Sequence, residues 1–211
     1  MESKLPLVAL FTVAVAACNW SDHREGAVFS HVTGDIVSFP TARLEASVAR
    51  IQPPGQPSVG IVTPIPPDAL FTQGLVPEAM IGKLKTLPDT EGWKVTPDNF
   101  VASPVFTDFL QRFLAERVPG VAEYQAEAKA IGDGWLYVID RRGPAKMLAP
   151  PVRDVIGAFA VRAGVMQSRS YRRNDAYMLL TEDGLSVLHR DLTDALTKAL
   201  VSINARQKPQ P

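Results

Sequence analysis

Between residues 53 and 67 the chain carries six of its 18 prolines: Pro53, Pro54, Pro57, Pro64, Pro66 and Pro67. Each proline fixes φ at about −65° and removes a backbone donor, so a helix interior is excluded and a central strand would lose a ladder bond. This density predicts an extended surface segment that connects elements on either side, with no central strand or helix of its own. Upstream, Ala27 to Phe39 alternates loosely around Thr33-Gly34-Asp35 and suits a hairpin, while Thr41 to Ile51 reads equally as strand or helix.

Downstream the signals are sharper. Ser103-Pro104 pairs a capping hydroxyl with proline at the first helical position. Phe106, Phe109, Leu110, Phe113 and Leu114 then recur at helical spacing until Pro119-Gly120 stops the run, which predicts a helix whose phenylalanine stripe faces a core. Val121 to Ala130 reads as a second, alanine-rich helix ended by Gly132 and Gly134. Trp135 to Ile139 is apolar in both phases, as a central strand would be. Val155 to Arg162 alternates, Ala163-Gly164 can turn, and Val165 to Tyr171 can return as a second strand. Asn174-Asp175 marks a further turn, with Ala176 to Thr181 as a third strand ending at Glu182-Asp183-Gly184. Asp191 and Asp194 favour the start of a closing helix in which Leu192, Ala195, Leu196, Ala199, Leu200 and Ile203 share a face. This order predicts an α+β fold: an antiparallel meander sheet in the C-terminal half, with amphipathic helices packed on one face.

The N-terminus is of a different kind. Met1-Glu2-Ser3-Lys4 is a short polar start, and Leu5 to Ala17 is an apolar run of 13 residues. A bilayer span takes roughly 20, so this stretch is too short to be one. It ends in Val15-Ala16-Ala17-Cys18, and Cys18 is the only cysteine in the chain. These residues resemble the lipobox of bacterial lipoprotein precursors. The resemblance covers about the first 20 residues and implies cleavage between Ala17 and Cys18, with a diacylglycerol on the thiol of Cys18 and an acylated amine beside it. The same small residues also satisfy ordinary secretory cleavage, after Ala16 or after Ala17. Asn19 after the cysteine resembles the outer-membrane sorting residue of such lipoproteins, where aspartate marks inner-membrane retention. The expected organisation is a signal peptide over 1–17, the lipidated cysteine and a polar tether over 18–26, a single α+β domain over 27–206, and a frayed tail over 207–211. With Cys18 acylated or left near the cleavage point, the domain has no thiol and forms no disulfide.

The chain balances 22 basic against 22 acidic residues, so no overall field draws it to nucleic acid. Charge is nonetheless uneven. Between Gly132 and Met178 stand Arg141, Arg142, Lys146, Arg153, Arg162, Arg169, Arg172 and Arg173, against only Asp133, Asp140, Asp154 and Asp175. Arg169, Tyr171, Arg172, Arg173 and Asn174 lie close together on the expected return strand and turn. They form a candidate site for an anionic envelope component or a protein partner, because guanidinium groups bind carboxylate and phosphate bidentately.

Signatures of other chemistry are missing. The histidines, His23, His31 and His189, have no metal-ligand spacing, and no cofactor motif occurs. Gly132-Asp133-Gly134 precedes a strand instead of following one, the reverse of a dinucleotide loop. There is no Gly-x-Ser-x-Gly elbow, and Pro57-Ser58-Val59-Gly60 lacks its context. Paired carboxylates occur at Glu182-Asp183 and at Asp133/Asp140, and the first pair reads as turn residues. No catalytic set is assigned. The expected function is a lipid-anchored, periplasm-facing accessory or binding domain, and the alternative is an envelope hydrolase centred on His31 or His189.

Overall fold

The computed structural model describes residues 37–38, 46–51, 57–66, 69–70, 74–87, 95–143 and 150–206. Cys18, His23, His31, Lys146, most of the expected hairpin at 27–39 and the tail 207–211 lie outside these residues. The fold is α+β, as expected, but its strands are not confined to the C-terminal half. A five-stranded antiparallel sheet runs in chain order through β1 (Val37–Ser38), β2 (Ser47–Ile51), β3 (Val59–Thr63), β4 (Gly82–Leu84) and β5 (Phe100–Ala102).

β3 corrects the reading of the proline zone. It lies in the middle of this sheet, pairing Ile51↔Val59 through Ser47↔Thr63 on one side and Ile61↔Lys83 and Val62↔Gly82 on the other. The prolines at 57 and 64 bracket a proline-free run, Ser58 to Thr63, which keeps every amide donor a central strand needs. Proline here delimits the strand instead of excluding it. The undecided segment upstream resolves as strand, over Ser47–Ile51.

Helix α1 (Pro104–Arg117) begins as its capping signal predicts: Ser103 Oγ accepts from the Phe106 N–H at 3.3 Å. Phe106, Leu110, Phe113 and Leu114 are buried, with Phe109 packed at the margin. Helix α2 (Ala122–Ile131) follows, and α3 (Arg190–Arg206) closes the chain with Leu192, Leu196 and Leu200 inward. Asn204, buried on α3, accepts from the Val76 N–H at 3.0 Å and donates to the Gly74 carbonyl at 3.1 Å. This bond ties the last helix to the loop before β4 and satisfies polar groups that burial would otherwise leave unpaired. One hydrophobic cluster draws on both halves of the chain, from Val48 and Ile61 through Leu110 to Phe159 and Leu200.

The second sheet contains β6 (Gly134–Ile139), β7 (Val155–Arg162), β8 (Val165–Met166) and β9 (Arg172–Arg173). β7 is central, with β6 along one edge and β8 and β9 along the other. Ala163 and Gly164 turn β7 into β8 with φ of 49° and 73°, the left-handed pair that a two-residue hairpin requires. β6 is therefore an edge strand and not a central one. Leu136 and Val138 are buried beneath it, while Trp135 and Tyr137 are 39% and 50% exposed.

The expected return strand over 165–171 is also corrected. Only Val165–Met166 pairs, Ser168–Ser170 is a 3-10 turn, and Arg172–Arg173 rejoins β7. Ser170 explains the interruption. Its Oγ accepts from the Ala160 N–H at 2.8 Å and donates to the Gln167 carbonyl at 2.6 Å, so a side chain occupies the place of a backbone ladder bond. The third strand shrinks to β10 (Leu180–Thr181), paired with β11 (Gly184–Leu185) around the Glu182-Asp183 turn.

Candidate functional site

The two faces of the second sheet differ in chemistry. Cross-strand pairing places Leu136, Val138, Gly157 and Phe159 on the side that meets the helices, and Trp135, Tyr137, Ala158 and Ala160 on the other. Arg172 pairs with Ala158 and so joins the open face, as do Arg162 and Val165 at the hairpin tip. The Arg172 guanidinium lies 5.0 Å from the centre of the Trp135 ring. That contact holds the indole and the charge together on the surface at about 0.5–1 kcal/mol. No Asp or Glu occurs in Gly134–Ile139 or from Val155 to Asn174.

The five residues expected to bind an anion do not converge. Tyr171 turns to the helix side, its ring 4.9 Å from Phe159 and its hydroxyl donating to Gln111 on α1. Burial pushes its phenol up. Gly157 makes room for it: a Cβ there would stand 2.4 Å from the Tyr171 hydroxyl oxygen. Arg173 also faces the helices and is paired with Asp108 at 3.0 Å and Asp175 at 2.7 Å. Asn174 donates to the carbonyls of Val152 and Val155, both at 2.7 Å, and shapes the loop. Arg169 and Arg172 remain on the surface.

The wider excess of arginine resolves in the same way. Arg141 pairs with Glu123, and Arg153 with Glu182 and Asp183. Arg142 is interior. Its Nε and Nη2 donate to Asp154 Oδ1 at 3.2 and 3.0 Å, Nη1 to the carbonyls of Leu179 and Gly184, and Nη2 also to that of Met178. All five guanidinium donors are thus used. Asp140 completes the network, accepting from the N–H groups of Arg142 and Val187 and from the Tyr177 hydroxyl. Burial and then the Asp140 charge hold the Tyr177 phenol well above its usual range, so it stays a donor. Among the described residues, Arg162, Arg169 and Arg172 are the arginines of this region without a carboxylate partner.

A cavity of about 410 Å³ opens beside β6, lined by Glu123, Tyr124, Glu127, Tyr137, Arg141 and Asp154 among others. His189 meets one of its lining residues, with Nε2 2.8 Å from Glu123 Oε2. The ring's Nδ1 accepts from the Asp191 N–H at 3.2 Å, which leaves Nε2 to carry the proton and donate to the carboxylate. Both nitrogens are therefore committed, and Glu123 is held from its other oxygen by Arg141. The arrangement braces the start of α2 against the start of α3. Glu127 has no such partner: burial, then the neighbouring Glu123, raises its carboxyl. No group of three or more His, Cys, Asp or Glu among the described residues is placed to hold a metal ion.

The Arg141 hydrogen bond holds the Glu123 carboxyl below its ordinary value of 4.5. A folded-state value below the unfolded one means that the pair stabilises at neutral pH, and that this contribution is lost as pH falls through the depressed value. With both side chains at least a third exposed, Glu123→Gln is expected to cost no more than about 1 kcal/mol at neutral pH. The gap to wild type should close in acid, as read by urea melts at several pH values. A gap independent of pH would show that the pair is not the cause.

Comparison of the chain with protein-family models, with curated proteins and with solved structures finds no match.

Proposed function

We propose that the chain is a lipid-anchored, envelope-facing binding domain without a catalytic role, and that it engages an anionic component or partner through the open face of its second sheet. The observation that carries this reading is that face: β6, β7, β8 and β9 contribute no acid to it, and Trp135, Tyr137, Arg162 and Arg172 stand on it together, with arginines that form no ion pair among the described residues. Aromatic and arginine side chains are the groups that contribute most at recognition surfaces. The lipobox-like Val15-Ala16-Ala17-Cys18 supplies the anchor, and no helix among the described residues is long and apolar enough to cross a membrane.

The test has two parts. Metabolic labelling with a fatty-acid probe is expected to mark the wild type and not Cys18→Ala, and an unlabelled wild type would refute the anchor. A photoreactive phenylalanine analogue placed at Tyr137 is expected to cross-link to an envelope component in cells. Yield should fall several-fold when Arg162 and Arg172 are replaced by glutamine, and equal yield would remove the face from the binding role.

A hydrolase centred on His189 is favoured by its 2.8 Å approach to Glu123, but the imidazole has no lone pair left to accept a substrate proton. Ester hydrolysis abolished by Glu123→Gln would revive that alternative.

A further inference from the structure

We infer that the open face of the second sheet seats on an anionic lipid surface, with Trp135 and Val165 entering the headgroup region and Arg162 and Arg172 contacting lipid phosphates. This deepens the binding reading above and rests on it. Three observations favour a lipid surface over other anionic partners.

The first is shape. Ala158 and Ala160 leave the middle of the face low, and the concave sites lie at its margins: the 410 Å³ cavity from Tyr137 toward Asp140 and Asp154, and one of about 270 Å³ between Val165 and α2. A small ligand is bound in a concave site, whereas an extended anionic plane needs none.

The second is the pairing of residue types. An indole, a phenol and a 61% exposed valine at the hairpin tip share the face with Arg162 and Arg172, the guanidinium of Arg172 lying over the indole. Indole and phenol rings favour the headgroup level of a bilayer, where apolar body and polar edge are both satisfied, and long basic side chains reach the phosphates above them. The third is charge complementarity. Arg162 and Arg172 have no carboxylate partner among the described residues, and β7 and β9, which carry them, contain no acid. An anionic leaflet offers phosphates in any register, so the two unpaired arginines find contacts without a shaped epitope.

The chain's three tryptophans are Trp20, Trp93 and Trp135. The full-length chain carrying Cys18→Ala, Trp20→Phe and Trp93→Phe retains Trp135 as its only indole and no lipid. Its fluorescence is read on vesicles of mixed phosphatidylglycerol and phosphatidylcholine, and on phosphatidylcholine alone. The apolar leader can bring any such chain to a vesicle, so sedimentation does not decide the matter and the indole does. We expect emission to shift to the blue and to be quenched by brominated acyl chains on the anionic vesicles only. Arg162→Gln with Arg172→Gln should weaken the response about thirtyfold, since each basic group near an anionic surface strengthens attachment about fivefold. Both positions are exposed and in no ion pair among the described residues, so the variant is expected to keep its circular dichroism.

Trp135 emission unmoved on anionic vesicles, or moved equally on neutral ones, overturns the lipid assignment. In the first case, a retained cross-link from position 137 to a protein would assign the same face to an acidic protein partner. Loss of that cross-link as well would remove the binding face itself.

Discussion

Arg142→Met is expected to destabilise the fold by about 3–5 kcal/mol, the usual cost of removing one partner from a buried ion pair. Its side chain is 1% exposed, and those of Asp140 and Asp154 are 0% and 8%. Methionine approximates the volume but leaves Asp154 Oδ1 and the carbonyls of Met178 and Gly184 without the guanidinium donors, while the Leu179 carbonyl keeps only the Ser186 N–H. Each unsatisfied buried acceptor carries a desolvation cost that the folded state must bear. Arg142→Lys should recover little, because one ammonium has three donors where five are used and cannot match the fork geometry. A fall in urea midpoint at constant slope would register the loss as stability. A double-mutant cycle with Asp154→Asn is expected to be strongly non-additive, since the second removal acts on a group already abandoned. A loss below about 1 kcal/mol for Arg142→Met would show that water replaces the guanidinium at little cost.

The same arginine illustrates where the sequence is legible and where it is not. The cap at Ser103, the stripe on α1, the Ala163-Gly164 turn and the apolar face of α3 are local signals, spaced within one or two turns, and each produces its element. Arg142 gave no local sign of burial. Its acceptors lie 12 to 42 residues away, so composition counts it as surface charge although the fold spends it inside. The segment from Ala176 to Leu179 reads as strand for the complementary reason: the carbonyls at 178 and 179 accept from Arg142, and that of Leu179 also from the Ser186 N–H across the hairpin. Asp140-Arg141-Arg142-Gly143 did carry one usable hint. An Asp two residues before an amide it can accept from marks a turn at the end of β6, and that bond is present at 3.1 Å. For the open face, the alternation of Trp135 and Tyr137 with Leu136 and Val138 was visible. Reading that run as buried on both sides hid the exposed aromatic pair that now defines the candidate surface.

Phe106→Ala should be comparably damaging, at about 3–5 kcal/mol, and it tests whether the two sheets share one core. Phe106 is 1% exposed and lies where three parts of the chain meet. It borders a small cavity together with Ile81 before β4, Leu179 and Leu185 of the β10–β11 hairpin, and Leu196 on α3. Truncation removes the ring's burial and enlarges a space that is already imperfectly filled, so the walls have little left with which to collapse inward. Phe109, one turn along and only partly buried, provides the control: Phe109→Ala is expected to cost about 1 kcal/mol. Because residues on every side of Phe106 belong to one continuous cluster, near-ultraviolet and far-ultraviolet melts of Phe106→Ala should remain coincident and shift together. Separation into two transitions, with one half of the chain unaffected, would mean that the N-terminal sheet and the C-terminal sheet are stabilised independently. The open face carrying Trp135 would then have to be tested on the C-terminal unit alone.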